Sequence, residues 1–231
     1  MDIDVDTYAW DAWRPEQALQ ALTGLDAPWY VAAGWSIDLF LGGQRREHED
    51  LEIAVPSARF HEFVEPLARA GLALYPIVDG RAVPLAEVGD EAFAESHQTW
   101  ALDHVAGVWR VDLFREPSDG DTWLARRDES IRLPYDRVIE WTLGGIPYSC
   151  PEATILFKAK HTRKKDEADL AAVLPLLGPE RRRWLAEALE RVHPGHRWLA
   201  SLSGSTSGRR SGQGSEGSRI QPIDVLASKL S

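Results

Sequence analysis

Two segments carry a large apolar residue at every second position, and they constrain the fold more than any other feature of the chain. They are residues 50–55 (DLEIAV) and residues 108–114 (VWRVDLF). Because successive side chains of a β-strand point to opposite faces, such alternation predicts strands with one apolar face against a core. The fold must therefore contain a sheet that is covered on at least one face.

Helical patterns surround these strands. Pro15 suits the first turn of a helix over residues 16–22, and Ser57 suits the N-cap of a helix that runs to Ala70. Residues 29–33 predict a short apolar strand that ends at Gly34, and a helical pattern follows from residue 36. We therefore expect an α/β (α+β) fold, with a mixed β-sheet core and flanking helices.

The C-terminal part differs from the rest of the chain in its pattern and composition. Residues 150–200 carry three helical patterns, and eleven of the 17 residues from 203 to 219 are Gly or Ser. Such a Gly/Ser-rich segment buries too little apolar surface to offset its ordering entropy. We expect a core over residues 1–148, a helical subdomain over residues 149–202 and a flexible tail over residues 203–231.

Charge and cysteine content restrict the partners and the compartment. The formal net charge is −10, which disfavours a nucleic-acid backbone as partner and is compatible with a cationic small substrate. The sequence has no apolar run of the roughly 18 residues that a membrane span needs, and no secretory signal. Cys150 is the single cysteine, which fits a reducing compartment, so we expect a cytoplasmic protein.

Three carboxylates lie on the two strands that the alternation predicts. Asp50 and Glu52 share one face of the first strand, about 6.6 Å apart along it. Asp112 interrupts an otherwise strong strand and needs a compensating metal, partner charge or exposed face. If the strands are neighbours, the three acids form a set suited to Mg²⁺, as phosphoryl and nucleotidyl transfer require. The alternative is a solvated strand face, which the same pattern also describes.

Residues 32–55 (AAGWSIDLFLGGQRREHEDLEIAV) carry a resemblance. The stretch resembles the signature of the DNA-polymerase-β-like nucleotidyltransferase superfamily, in which an apolar strand, a glycine turn and a helix precede an acid-x-acid strand. It is most similar to the aminoglycoside 2''-adenylyltransferase and lincosamide nucleotidyltransferase group. The matching positions are Gly34, Trp35, Leu41, Gly42, Arg46, His48 and Asp50, with Glu52 at the last acid.

The resemblance extends further along the chain, with two departures. Asp112 matches the third acid of the group, and a second stretch matches at Pro151, Glu152, Lys158, Ala159, Lys160, Arg163, Lys165, Asp166 and Asp169. Ala33 stands where the group has its first glycine, and Glu52 stands where an Asp is more usual.

The resemblance implies an activity and a set of roles. It implies a Mg²⁺-dependent nucleotidyltransferase that moves AMP from ATP to a hydroxyl of a small molecule, with two Mg²⁺ ions as cofactors. Asp50, Glu52 and Asp112 would bind the metals, and Asp112 would also activate the acceptor hydroxyl. The expected nucleotide contacts are Gly34, Trp35, Ser36, Arg46, His48 and Lys158.

Several alternatives remain open at this point. The acceptor is an aminoglycoside or a lincosamide, another small molecule, or a protein or tRNA in a toxin-like role. The alternative to an enzyme is a catalytically inactive nucleotide-binding or interaction protein. Ala33 and Glu52, which depart from the pattern of the group, favour this alternative. Ser36 can be a plain N-cap, and Lys158 can belong to a solvated helix face. The sequence leaves the oligomeric state undetermined.

Overall fold

A computed structural model describes residues 3–4 and 7–203. The strands are β1 Ile3–Asp4, β2 Ala9–Trp10, β3 Tyr30–Val31, β4 Glu52–Pro56, β5 Leu72–Val78, β6 Arg81–Ala82, β7 Gln98–Asp103, β8 Val108–Glu116, β9 Ser118–Asp119, β10 Thr122–Ala125, β11 Asp128–Pro134, β12 Ile139–Trp141 and β13 Pro147–Ser149.

The helices lie between and after these strands. They are α1 Pro15–Leu22, α2 Ala33–Phe40, α3 His61–Arg69, α4 Asp90–Glu95, α5 Tyr135–Val138, α6 Pro151–Lys158, α7 Lys164–Val173, α8 Pro179–Val192 and α9 Trp198–Ser203. Short 3₁₀ turns cover Ser57–Arg59, Ala159–His161 and Leu174–Leu176. Within the described residues, no helix is both long and apolar enough to cross a bilayer.

The strands form a large mixed sheet, as the sequence predicts. Its order is β1-β6-β5-β7-β8-β4-β3-β13-β12, with β2 paired to β8, and a small second sheet has the order β11-β10-β9. The pairs β4–β8 and β3–β13 are parallel, whereas β3–β4 and β7–β8 are antiparallel. The expected α+β class is confirmed.

The two strands predicted from alternation are direct neighbours in this sheet. In the parallel pair of β4 and β8, Glu52 is opposite Asp112 and Ala54 is opposite Phe114. Strand β4 begins at Glu52, two residues later than the pattern suggests, and β8 continues two residues further to Glu116. The acids of both segments therefore lie at the same place in the sheet.

Apolar clusters cover both faces of the sheet. Leu51, Ile53 and Leu113 belong to a cluster with residues of α1 and α3, whereas Tyr30 and Ala54 belong to a cluster with residues of α6 and α8. The C-terminal helices thus share a core with the strands. The division at residues 148 and 149 stays a prediction, and the expected tail from residue 204 onward lies outside the described residues.

Two local predictions are wrong. Helix α2 begins at Ala33, before Gly34, because Ala33 takes a left-handed backbone conformation (φ 49°) that turns the chain directly into the helix. Ser57 is not the N-cap of α3, because it starts a 3₁₀ turn and the α-helix begins only at His61.

Candidate active site

Glu52 and Asp112 form the centre of the candidate site. They are register partners in adjacent parallel strands, so their side chains leave the same face of the sheet. The backbone N–H of Asp112 donates to the carbonyl oxygen of Leu51 at 2.9 Å. Asp50 precedes the strand, close enough for its charge to raise the pKa of both other carboxyls. The structure therefore brings the three predicted acids into one neighbourhood.

A bound cation would stabilise the charged forms of these buried acids. Burial, and then the charge of Asp50, raises the pKa of Glu52 to about 7. Burial, and then the charge of Glu52, raises the pKa of Asp112 well above its usual range. Gln98 Nε2 donates to Asp112 Oδ2 at 2.9 Å, and the Trp100 side chain on the neighbouring strand also lowers the pKa of this carboxyl, but Oδ1 is buried with no partner at hydrogen-bond distance among the described residues. A buried, unpartnered carboxylate oxygen beside two further acids fits a hard divalent cation.

The described residues do not form a complete set of metal ligands. Within residues 3–4 and 7–203, no group of three or more His, Cys, Asp or Glu side chains has the spacing to hold a metal ion. The donor chemistry suits Mg²⁺, and the side chains of Asp50 and Glu52 would have to turn toward Asp112 to share one.

The side chains of Arg46 and His48 pack directly against Gly34 in helix α2. A Cβ atom at this position would lie 2.8 Å from the His48 ring and would overlap the guanidinium group of Arg46. All three residues line a cavity between the sheet and helix α6, which we call the main cavity. Only glycine leaves room for Arg46 and His48 there, which gives the sequence motif a steric reason.

His48 is held rigidly at the cavity wall. Its ring stacks on Trp35 with centroids 4.4 Å apart, and its Nε2 lies 2.8 Å from Asp38 Oδ2. Burial lowers the pKa of His48, against the opposing effect of Asp38. Asp38 also accepts the backbone N–H of Arg45 at 3.0 Å, so it links the helix to the segment that leads into β4.

Trp35 and Ser36 do not line the cavity, unlike the other predicted nucleotide contacts. Ser36 is fully buried, its hydroxyl donates to the Ala33 carbonyl at 2.9 Å, and it lies 2.8 Å from the Thr154 hydroxyl. Trp35 is buried in the cluster on the α1 and α3 side. The geometry gives both residues a supporting position beneath the site, because their polar or aromatic groups already contact protein.

Lys158 faces the cavity and is tied to two aspartates. Its Nζ lies 3.0 Å from Asp169 Oδ2 and 3.3 Å from Asp166 Oδ1, and its side chain is 7% exposed. Asp166 also pairs with Arg163 at 2.9 Å. Lys160 does not line this cavity but a neighbouring groove.

The main cavity has a volume of about 470 Å³ and lies between the sheet and helix α6. Gly34, Asp50 and Glu52 line it, whereas Asp112 is buried and does not. The cations on its wall, most of them not predicted as nucleotide contacts, are Arg46, Arg126, Arg127, Lys158, Arg163 and Lys165. Arg163 and Lys165 were visible within the second matched stretch, whereas Arg126 and Arg127 carry no sequence signal because they follow a strand of the small sheet.

The lining of the cavity also includes aromatic residues and one buried carboxylate. Tyr30, Trp123 and Phe157 line it together with Glu116. The Tyr30 hydroxyl donates to Glu116, and Trp123 Nε1 donates to Glu116 Oε2 at 2.7 Å. Burial raises the pKa of Glu116 despite these two donors. No motif in the sequence predicts this cluster.

One family model matches the chain. It describes the aminoglycoside-2''-adenylyltransferases and matches residues 16–85, which include Gly34, Arg46, His48, Asp50 and Glu52. The match confirms the resemblance found in the sequence and indicates a nucleotidyltransferase. No curated protein sequence matches the chain significantly.

Solved structures of antibiotic-modifying proteins are similar in outline. A solution structure of the antibiotic-resistance factor ANT(2'')-Ia is 17% identical, with a TM-score of 0.49, over 81% of this chain and 92% of that chain. The lincomycin-bound adenylyltransferase LnuA is 16% identical, with a TM-score of 0.49, over 72% of this chain and 100% of that chain. ANT(2'')-Ia with adenylyl-2''-tobramycin is 17% identical, with a TM-score of 0.49, over 76% and 95%. At this level, the likeness supports no statement about activity.

Proposed function

We propose that this nucleotidyltransferase carries out Mg²⁺-dependent transfer of AMP from ATP to a hydroxyl group of a small molecule. The observation that carries the proposal is the placement of Glu52 directly opposite Asp112, with Asp50 beside them and Asp112 Oδ1 unpartnered among the described residues. The match to the adenylyltransferase family supports the nucleotide part of the reaction.

The acids have distinct tasks in this proposal. Asp50, Glu52 and Asp112 hold Mg²⁺, whose charge neutralises the triphosphate and the crowded carboxylates. Gln98 fixes one oxygen of Asp112 and leaves Oδ1 available to bind the metal or to take the proton of the acceptor hydroxyl. The acceptor oxygen then bonds to the α-phosphorus, the bond from that phosphorus to the bridging oxygen breaks, and pyrophosphate leaves.

The triphosphate lies along the cationic wall of the cavity. Arg46 and the backbone at Gly34 line the cavity, as do Lys158, Arg163 and Lys165, whose charges act on Glu52. Guanidinium and ammonium groups bind phosphate oxygens strongly, and a helix N-terminus favours negative charge. His48 helps to position this wall through its contacts with Trp35 and Asp38. It does not bind the triphosphate through a positive charge of its own.

The family description offers one candidate for the acceptor class. An aminoglycoside, or another antibiotic with a reactive hydroxyl such as a lincosamide, is the acceptor that the adenylyltransferase match suggests. We place the activity in the cytoplasm, where the single buried cysteine, Cys150, stays reduced and ATP is abundant.

Replacement of Asp50 tests the proposed chemistry. Asp50→Ala should abolish Mg²⁺-dependent pyrophosphate release from ATP in the presence of an acceptor, because it removes a metal ligand without touching the core. Asp136→Ala is the matched control, since Asp136 is exposed on α5 and lines neither cavity. Equal activity of Asp50→Ala and the wild type would contradict the proposal.

A nucleotide-binding protein without catalysis is the second candidate. The left-handed conformation of Ala33 favours it, because an alanine is strained where the group has a glycine. Calorimetric titration with ATP, with and without Mg²⁺, followed by an acceptor screen, separates the two. ATP binding without turnover over a broad set of hydroxyl acceptors would favour this second candidate.

A further inference from the structure

A second cavity opens beside the candidate catalytic acid. Its volume is about 490 Å³, and it is lined by Ile77, Glu95, Ser96, His97, Gln98, Phe114, Arg126, Arg127 and Lys160. Phe114, Arg126 and Arg127 also line the main cavity. The two cavities are therefore neighbouring parts of one cleft, and we call the second part the β7 groove.

The β7 groove is linked to the candidate catalytic acid through Gln98. Gln98 belongs to the groove, and its Nε2 donates to Asp112 Oδ2 at 2.9 Å. Phe114 stands two residues after Asp112 on the same face of β8. Gly34 and Arg46, which we assign to the triphosphate, line only the main cavity. A ligand in the groove would lie next to Gln98, the hydrogen-bond partner of Asp112, while the nucleotide occupies the main cavity.

The groove is cationic although the chain is acidic. It contains Arg126, Arg127 and Lys160 against a single acid, Glu95, in a chain whose net charge is −10. Among the residues that the structure describes, none of these three cations forms an ion pair with a carboxylate. Cations that only balance the acids of the protein would be expected to pair with them.

Contacts with the protein hold the two arginines in place. Arg127 Nη1 donates to the Phe157 carbonyl at 3.0 Å, and its guanidinium lies 5.3 Å from the ring centroid of Phe157. The Arg126 guanidinium lies 5.7 Å from the ring centroid of Phe114. These contacts orient both groups without a direct ion pair to a carboxylate, although the charge of Arg126 also lowers the pKa of the buried Glu116. Oriented guanidinium groups of this kind recognise anions.

We propose that the β7 groove is an anion-recognising subsite and, on the basis of the proposed function, that it receives a hydroxyl-bearing acceptor with a carboxylate or phosphate group. The acceptor hydroxyl would then approach Asp112 with its anionic group among Arg126, Arg127 and Lys160. The overall charge of −10 suggests the opposite preference, for a polycation. The local charges decide, because surface charges further away than about 8 Å are largely screened at physiological salt.

A binding experiment tests the groove without any turnover. Sulfate is titrated into the protein already loaded with Mg²⁺ and a non-hydrolysable ATP analogue, and the amide resonances of His97, Gln98 and Lys160 are followed by NMR. We expect saturable shifts, with affinity about tenfold weaker in Arg126→Gln and in Lys160→Gln, because each loses a charge-assisted contact. Arg183→Gln, an exposed arginine of α8 outside both cavities, should bind sulfate like the wild type.

Two outcomes of this titration would overturn the subsite. One is the absence of saturable shifts at these residues in the wild type. The other is the loss of the shifts when the nucleotide analogue is bound, because the groove would then belong to the triphosphate.

A turnover experiment tests the acceptor class. Adenylylation is compared for a neutral sugar, the corresponding sugar carboxylate and sugar phosphate, lincomycin and tobramycin. We expect the anionic sugars to be preferred, with Arg126→Glu lowering kcat/KM for them by about tenfold or more and raising it for tobramycin. A wild-type preference for tobramycin that Arg126→Glu does not strengthen would contradict the acceptor class.

The two experiments separate the two levels of the proposal. Absence of transfer to every acceptor contradicts the proposed function, whereas the sulfate titration still decides whether the groove recognises anions. Transfer to tobramycin alone, together with sulfate binding in the groove, supports the function and overturns the acceptor class.

Discussion

Glu52 and Asp112 lie directly opposite each other in the parallel pair of β4 and β8, on the face of the sheet that looks into the main cavity. Burial raises the pKa of both carboxyls, and the charge of Asp50 adds to this at Glu52 as the charge of Glu52 does at Asp112. No cation among the described residues forms an ion pair with either carboxylate. Their nearest strong counter-charges come from Lys158, Arg163 and Lys165, which act on Glu52 from a distance. The stability of this region should therefore depend on pH and on Mg²⁺.

Glu52 should make the protein less stable at high pH when no divalent cation is present. Its folded-state pKa of about 7 lies above the ordinary value of 4.5, so its favourable contribution is complete below that ordinary value and is lost as the pH rises through 7. Between about pH 5 and about pH 8, the free energy of unfolding of the wild type should fall relative to Glu52→Gln by up to about 3 kcal/mol.

Urea unfolding of both proteins in chelator measures this difference. Mg²⁺ should reduce it, because a bound cation stabilises the charged carboxylate. Parallel pH profiles of the wild type and Glu52→Gln would show that Glu52 titrates normally.

Ala33 should be replaceable by glycine with a gain in stability. Its φ of 49° is in the left-handed region, where a Cβ costs roughly 1–2 kcal/mol. Ala33→Gly should raise the free energy of unfolding by about 1 kcal/mol, after the entropy of glycine in the unfolded chain is subtracted. Ala32→Gly is the control, since Ala32 has an extended backbone with a φ of −112° and should lose stability. A loss of stability in both variants would argue against the strained turn.

Gly34 should tolerate no side chain. A Cβ there would displace Arg46 and His48, so Gly34→Ala should raise the KM for ATP about tenfold or more and cost about 1–3 kcal/mol of stability. Gly43→Ala is the matched control, because a Cβ at Gly43 meets nothing within 4 Å. Steady-state kinetics and thermal unfolding of both variants measure the effects. An ATP KM in Gly34→Ala equal to that of Gly43→Ala would remove Arg46 and His48 from the nucleotide wall.

Lys158 should have a structural role and a nucleotide role that can be separated. Lys158→Met leaves Asp166 and Asp169 without their buried cation, which should cost about 3 kcal/mol or more. The triple variant Lys158→Met/Asp166→Asn/Asp169→Asn should recover most of that stability, because the buried charges are removed together. Its ATP affinity should stay low if Lys158 contacts the triphosphate. Recovery of ATP affinity along with stability would assign Lys158 a structural role alone.

The sequence could predict those features of the site that are local or carried by a motif. Alternation along residues 50–55 and 108–114 predicts the strand positions of Glu52 and Asp112, whereas Asp50 precedes β4, and the resemblance adds the glycine turn with Arg46 and His48. The two strand positions are predicted correctly because strand periodicity acts over a few residues. The boundaries were less accurate, since the positive φ of Ala33 and the 3₁₀ turn at Ser57 depend on packing.

Only the tertiary structure decided which side chains from distant segments meet. The hydroxyl of Ser36 is engaged by Thr154, 118 residues away, so it supports the site from beneath instead of lining it. Arg126 and Lys160 join Gln98 in the β7 groove, although no pattern in the sequence links them. Residue spacing specifies the face of a strand or helix, whereas the partner across a cleft depends on how whole elements pack against each other.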